Sequence, residues 1–191
     1  MNNDISKAVE ILKNGGIISY PTDTTFGIGC KITNIEAVKK IYDLKGRNYN
    51  KPLSIACSSL EMAYEYTYLL SIDEHLIRNL LPGAVTLVVR KKDSVSNIIT
   101  AGFEKVGLRI PNYRPILELI ELLGKPIITT SANLSGQSEP KSNNDIKIIV
   151  DYNLSGECLL NIPSTIIDIE SKTILREGAN IKYYKELLHK Y

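Results

Sequence analysis

The chain has 191 residues, which suits a single domain with a substantial apolar core and leaves little room for a second large one. Hydrophobic residues make up 43% and charged residues 23%, ordinary globular usage that excludes disorder and fibrous repeats. A formal net charge of +2 is too small to mark a nucleic-acid binder, so any phosphate site must come from local clustering of cations.

The opening segment MNNDISKAVEILKNGG mixes acidic with apolar residues and does not read as a signal peptide. No stretch approaches the roughly 20 apolar residues of a membrane span, so a cytoplasmic protein is expected. Ile5, Ala8, Val9, Ile11 and Leu12 predict a helix over 5–13 that Gly15-Gly16 terminates, and a strand follows at 17–20. Val38, Ile41 and Tyr42 stripe a second helix over 35–45, which Gly46 can stop. Short aliphatic runs at 53–57, 85–90, 106–110, 126–130, 164–169 and 173–176, bounded by turn residues, read as strands. Helical patterns fill 59–70, 73–81, 114–123, 143–150 and 181–189, giving an α/β fold class. Several strands lie too close in sequence for a crossover helix, so the sheet is expected to be mixed. The polar segment 136–145, GQSEPKSNND, reads equally as a flexible flap or a plain connector.

Cys30, Cys57 and Cys158 are widely spaced and form no CxxC pair, which argues against a disulfide framework or a structural zinc site and favours buried small residues. His75 and His189 are the only histidines, so a histidine-based triad has little support. There is no GxxxxGK[ST] loop and no GxGxxG fingerprint. Three polar clusters instead sit at predicted strand ends, where α/β folds build ligand crevices. Tyr20-Pro21-Thr22-Asp23-Thr24-Thr25 and the glycines after it offer hydroxyls and close backbone approach. Lys45, Arg47 and Lys51 could neutralise a triphosphate, or could form a solvated loop that complements a helix C-terminus. Thr129-Thr130-Ser131-Ala132-Asn133 supplies small donors for phosphate or carboxylate oxygens, and a structural turn could use the same residues. Ser164-Thr165 and Arg176 carry the same ambiguity.

In order, the segments PTDTTFGIG, KGRNYNKPLS, LPGAVTLV, VGLRIPN, PIITTSANLSG, PSTIID and LREG resemble the YrdC/TsaC family of threonylcarbamoyl-AMP synthases across about residues 7–180. The resemblance is to short members, and implies a single YrdC-like domain over residues 1–191 with no additional C-terminal domain, a mixed twisted sheet, flanking helices and a basic concave cleft. It also implies synthesis of threonylcarbamoyl-AMP from L-threonine, bicarbonate and ATP with release of pyrophosphate, the first step of forming N6-threonylcarbamoyladenosine (t6A37) in tRNA. By motif position Lys45, Arg47, Lys51, Ser131, Asn133 and Arg176 would bind ATP, while Thr24, Arg109, Thr129 and Ser164 would bind threonine. Ala56 stands where certain relatives place a histidine, Lys105 where some place a threonine, and Glu139 where some have a small polar nucleotide contact.

The resemblance assigns no general base; Asp23 lies near the substrate contacts but reads equally as structural or cation-organising. Catalysis is then expected from positioning and electrostatics. Mg2+ is expected to arrive on ATP oxygens rather than at a protein metal site, with no tightly bound organic cofactor. A tRNA threonylcarbamoyl transferase is the expected functional partner, and a weak tRNA contact is compatible with a basic cleft. The rival reading is a noncatalytic RNA-binding module with a basic concave surface; the absence of an RNP motif and of aromatic-interleaved basic repeats weighs against it.

Overall fold

The structure, a computed structural model, describes residues 3–191. In chain order it contains α1 (Asn3–Lys13), β1 (Ile18–Tyr20), β2 (Gly27–Gly29), α2 (Ile35–Lys45), β3 (Ser54–Ala56), α3 (Leu60–Tyr66), α4 (Glu74–Leu80), β4 (Val85–Arg90) and α5 (Asn97–Thr100). These are followed by β5 (Lys105–Arg109), α6 (Arg114–Leu123), β6 (Ile127–Ser131), β7 (Tyr152–Asn153), β8 (Thr165–Asp168), β9 (Thr173–Arg176) and α7 (Ile181–Lys190). Local chemistry sets several boundaries. The Asn34 side chain accepts from the Ala37 amide at 3.0 Å to start α2, and Gly46, at φ 56°, ends it in the left-handed conformation that glycine adopts without strain. Ser59 and Asp73 cap α3 and α4 in the same way as Asn34 caps α2.

Among the described residues nine strands form one sheet in the order β7-β1-β2-β6-β3-β5-β4-β8-β9, with parallel and antiparallel neighbours, a mixed sheet flanked by helices. Side-chain alternation divides the two faces. Ile28, Ile55, Leu87, Val106, Leu108, Ile128 and Ile167 join the larger core with residues of α2, α4 and α7. Ile18, Tyr20, Ala56 and Ile127 face the other way, into a smaller core closed by α1 and α6. Those two helices cover only part of that face. Beyond them the same alternation places Ser54, Thr86, Val88, Gly107, Arg109, Thr129, Ser131 and Ile166 on an uncovered, concave stretch of sheet.

Two predicted helices are corrected. The helix over 59–70 ends at Tyr66, because the Thr67 hydroxyl donates to the Ala63 carbonyl at 2.8 Å and the chain then turns extended, with Thr67 bridging Lys91. The helix over 143–150 is absent. Only a single turn forms at Asn143–Asp145, after which Ile146, Ile148 and Val150 point inward while Lys147 and Ile149 are exposed, a period of two rather than 3.6. The strands β2 and β7 and the short helix α5 were not anticipated from the sequence. Cys30, Cys57 and Cys158 are buried free thiols, as expected.

Candidate functional site

The uncovered face holds a cleft of about 670 Å³. Its floor is built across the sheet by register: Ser54 lies beside both Gly107 and Thr129, and Val88 lies on the far side of Gly107. Gly107 keeps this floor open, since a Cβ there would lie 2.3 Å from the Ser54 Oγ. The loop between β1 and β2 forms one wall, and the segments around Ser164 and Arg176 form the opposite one.

At its inner end the cleft is buried and hydroxyl-rich. Arg109, 8% exposed, donates from Nη1 to Thr24 Oγ1 at 2.9 Å and from Nη2 to Asp23 Oδ1 at 2.7 Å. Asp23 Oδ2 accepts the Asn112 amide at 3.1 Å, so the carboxylate is held at both oxygens. Arg109 Nε is a buried donor without a partner among the described residues. The Thr22 hydroxyl lies 3.0 Å from that of Thr24, and Tyr20 donates to Thr129 Oγ1 at 2.8 Å. On the opposite wall Thr86 and Ser164 share a hydrogen bond of 2.8 Å, and Arg176 donates to the Ser164 carbonyl at 2.7 Å and its hydroxyl at 3.2 Å. Burial lowers the Arg176 pKa from its ordinary value, with Glu139 opposing that shift. This end can orient a small molecule carrying hydroxyl, amine and carboxylate groups.

The outer end is cationic in a different sense. Gly46 turns the chain out of α2, and Arg47 then rests on the Lys51 and Pro52 carbonyls at 3.2 and 2.8 Å, its fork braced on main-chain oxygens rather than a carboxylate. Lys51 is exposed at the cleft edge. Lys105 also lines the cleft, but its ammonium is taken by Asp168 at 2.7 Å and Glu170 at 3.2 Å, so it adds little free charge.

Lys45 lies elsewhere. It is 2% exposed, tucked beneath the loop that follows β6, and its Nζ donates to the Ser131 carbonyl and to the Asn133 carbonyl at 2.6 Å. The Ser135 amide returns a hydrogen bond of 2.9 Å to the Lys45 carbonyl. Burial, and then the Arg47 charge, push Lys45 down to about 8, with Glu139 opposing.

Of the ten site residues named from the sequence, Thr24, Arg47, Lys51, Arg109, Thr129, Ser131, Ser164 and Arg176 line this one cleft. Lys45 and Asn133 do not. Lys45 braces the loop from below, and Asn133 lines an adjoining depression of about 440 Å³. Thr22 and Thr25, from the first polar cluster, line the cleft as well, and Ser54, Thr86 and Gly107 line it without belonging to any cluster read from the sequence. Ser54, Thr86 and Gly107 share a readable signal: each is a small or polar residue at every second position of an otherwise aliphatic strand. Asp23 matters as the carboxylate that fixes Arg109.

A family model named Sua5/YciO/YrdC and described as telomere recombination matches residues 10–178. A protein of Methanocaldococcus jannaschii provisionally named threonylcarbamoyl-AMP synthase is 37% identical over 183 residues, covering 90% of this chain and 86% of the relative. The threonylcarbamoyl-AMP synthase of Bos taurus is 31% identical over 199 residues, covering 96% of this chain and 71% of the relative. Among solved structures, Sua5 of P. abyssi complexed with L-threonine superposes with a TM-score of 0.88 at 30% identity, over 96% of this chain and 56% of that one.

Proposed function

The chain belongs to the Sua5/YciO/YrdC family, and from that premise we propose that it is an L-threonylcarbamoyladenylate synthase. It takes L-threonine, bicarbonate and ATP to threonylcarbamoyl-AMP and pyrophosphate, the activated precursor of t6A37 in tRNA. One observation carries this reading: a single cleft joins a buried, hydroxyl-lined arginine site to an exposed cationic edge, in a chain that aligns over nearly its full length with a threonine-binding relative.

The inner end suits threonine. Arg109, fixed by Asp23 and Thr24, would receive the carboxylate through its remaining donors, and Thr24, Thr129 and Ser164 would contact the amine and side-chain hydroxyl. The outer end suits the polyphosphate, which Arg47 and Lys51 would hold from the mouth, with Ser131 on the sheet and Arg176 reaching it from the wall beside Ser164. Asn133 shapes the loop beneath Ser131, and Lys45 contributes by bracing that loop. The threonine amine adds to carbon dioxide derived from bicarbonate and loses a proton, giving a carbamate. A carbamate oxygen attacks the α-phosphorus of ATP, and the bond to the β-phosphate oxygen breaks as pyrophosphate leaves. No protein nucleophile is required. The chain's share is alignment of the two anions and neutralisation of charge on the leaving group. Mg2+ enters with ATP as part of the substrate. The product carries a reactive mixed anhydride, so a tRNA threonylcarbamoyl transferase must consume it.

Pyrophosphate release from ATP tests this reading. Release is expected only when threonine and bicarbonate are both supplied, and equal release with either one omitted contradicts the carbamate mechanism.

A further inference from the structure

Glu139 lies on the 136–145 segment, on the partition between the 670 Å³ cleft and the 440 Å³ depression, and lines both. Its Oε2 is buried and makes no hydrogen bond with any of the described residues. Lys45 and Arg176 both feel its charge, yet neither forms an ion pair with it. Lys45 is committed to the Ser131 and Asn133 carbonyls, and Arg176 to Ser164. A buried carboxylate oxygen is costly without a cationic or hydrogen-bonding partner. The two cations that its charge reaches are already committed to other partners. A bare carboxylate here would also repel the triphosphate that Arg47 and Lys51 are placed to attract.

One chemistry resolves both conflicts. Mg2+ characteristically binds through one or two carboxylates together with substrate phosphate oxygens and retained water. Among the described residues no three His, Cys, Asp or Glu side chains converge to hold a metal alone, so a metal here would depend on its nucleotide. We propose that Glu139 is the protein's ligand to the Mg2+ that arrives with ATP, joining the nucleotide to the 136–145 loop. This rests on the reading of the cleft as an ATP site. The carboxylate then discriminates between metal-loaded and metal-free nucleotide: it contributes to binding the first and opposes the second.

Calorimetric titration of ATP into wild-type and Glu139→Gln protein, in excess Mg2+ and in EDTA, tests the proposal without reference to turnover. Wild type should bind ATP at least about tenfold more tightly with Mg2+ than without, the scale on which a metal site responds to its protein groups. Glu139→Gln should weaken binding of the metal-loaded form and tighten binding of the metal-free form, so that the preference collapses. Glu139→Asp, which keeps the charge, should retain part of it. Replacing Mg2+ by Mn2+ allows bound metal to be followed by spin resonance, where the Gln variant should retain less Mn2+ in the presence of ATP. Tighter binding of both forms by Glu139→Gln would make the carboxylate a plug in the cleft and overturn the assignment. Unchanged binding of both forms would also overturn it. Absence of ATP binding by wild type in either condition would overturn the ATP reading itself.

Discussion

Arg109 and Arg47 stand in one cleft and are held in opposite ways. Arg109 is 8% exposed and faces the Asp23 carboxylate at 2.7 Å, so this pair carries no net charge before any substrate enters. Arg47 is partly exposed and leans on two backbone carbonyls, so the outer end keeps its positive charge. The difference matches the two substrates proposed. A zwitterion such as threonine needs orientation more than net charge, whereas a triphosphate needs net charge. It also separates stability from function, because a buried pair is part of the fold and an exposed fork is not.

The largest expected effect comes from breaking the inner pair. Arg109→Ala would leave Asp23 buried and unmatched, a loss of about 3–5 kcal/mol in urea unfolding, along with threonine-dependent turnover. Unchanged stability with a raised KM for threonine alone would show that the pair is functional without being structural. At the outer end Arg47→Ala should shift stability by less than about 1 kcal/mol. Its KM for ATP should rise by roughly 10- to 100-fold, the scale of charged hydrogen bonds worth about 1.5–3 kcal/mol. A destabilised Arg47→Ala protein would erase the contrast between the two ends.

The smallest effect is a pH dependence set by Lys45. Its folded pKa, pushed down to about 8 by burial and by Arg47, lies below the ordinary 10.5. As pH rises through about 8 the ammonium that braces the loop beneath Ser131 loses its charge, and the KM for ATP should increase. Between about 8 and 10.5 the unfolded chain binds more protons at this site than the folded one, so the site's contribution to stability rises with pH. Affinity and stability should therefore move in opposite directions over that window. A parallel fall of both would place the titration elsewhere.

Much of this architecture was legible as pattern. The helices α1, α2, α4, α6 and α7 and most strands follow from apolar periodicity, and the polar clusters at strand ends converge on one cleft because side chains at every second position share a face. What escaped was local. Gly27-Ile28-Gly29 is too short and too rich in glycine to signal a strand, yet it pairs β1 with β6. Ile146, Ile148 and Val150 fit a helical window by composition, and only their burial reveals an extended chain. Lys45 has the composition of a helix-end cation. Sequence carries no sign that its ammonium turns inward to two carbonyls while Arg47, two residues later, faces the cleft.

The central claim is that both ends of the cleft act on one reaction, and its product is the most direct test. Purified protein incubated with ATP, Mg2+, L-threonine and bicarbonate should yield a species with the mass of threonylcarbamoyl-AMP, and 13C from labelled bicarbonate should appear in it. Threonyl-AMP without the carboxyl carbon, or no adenylate at all from folded protein, would contradict the account.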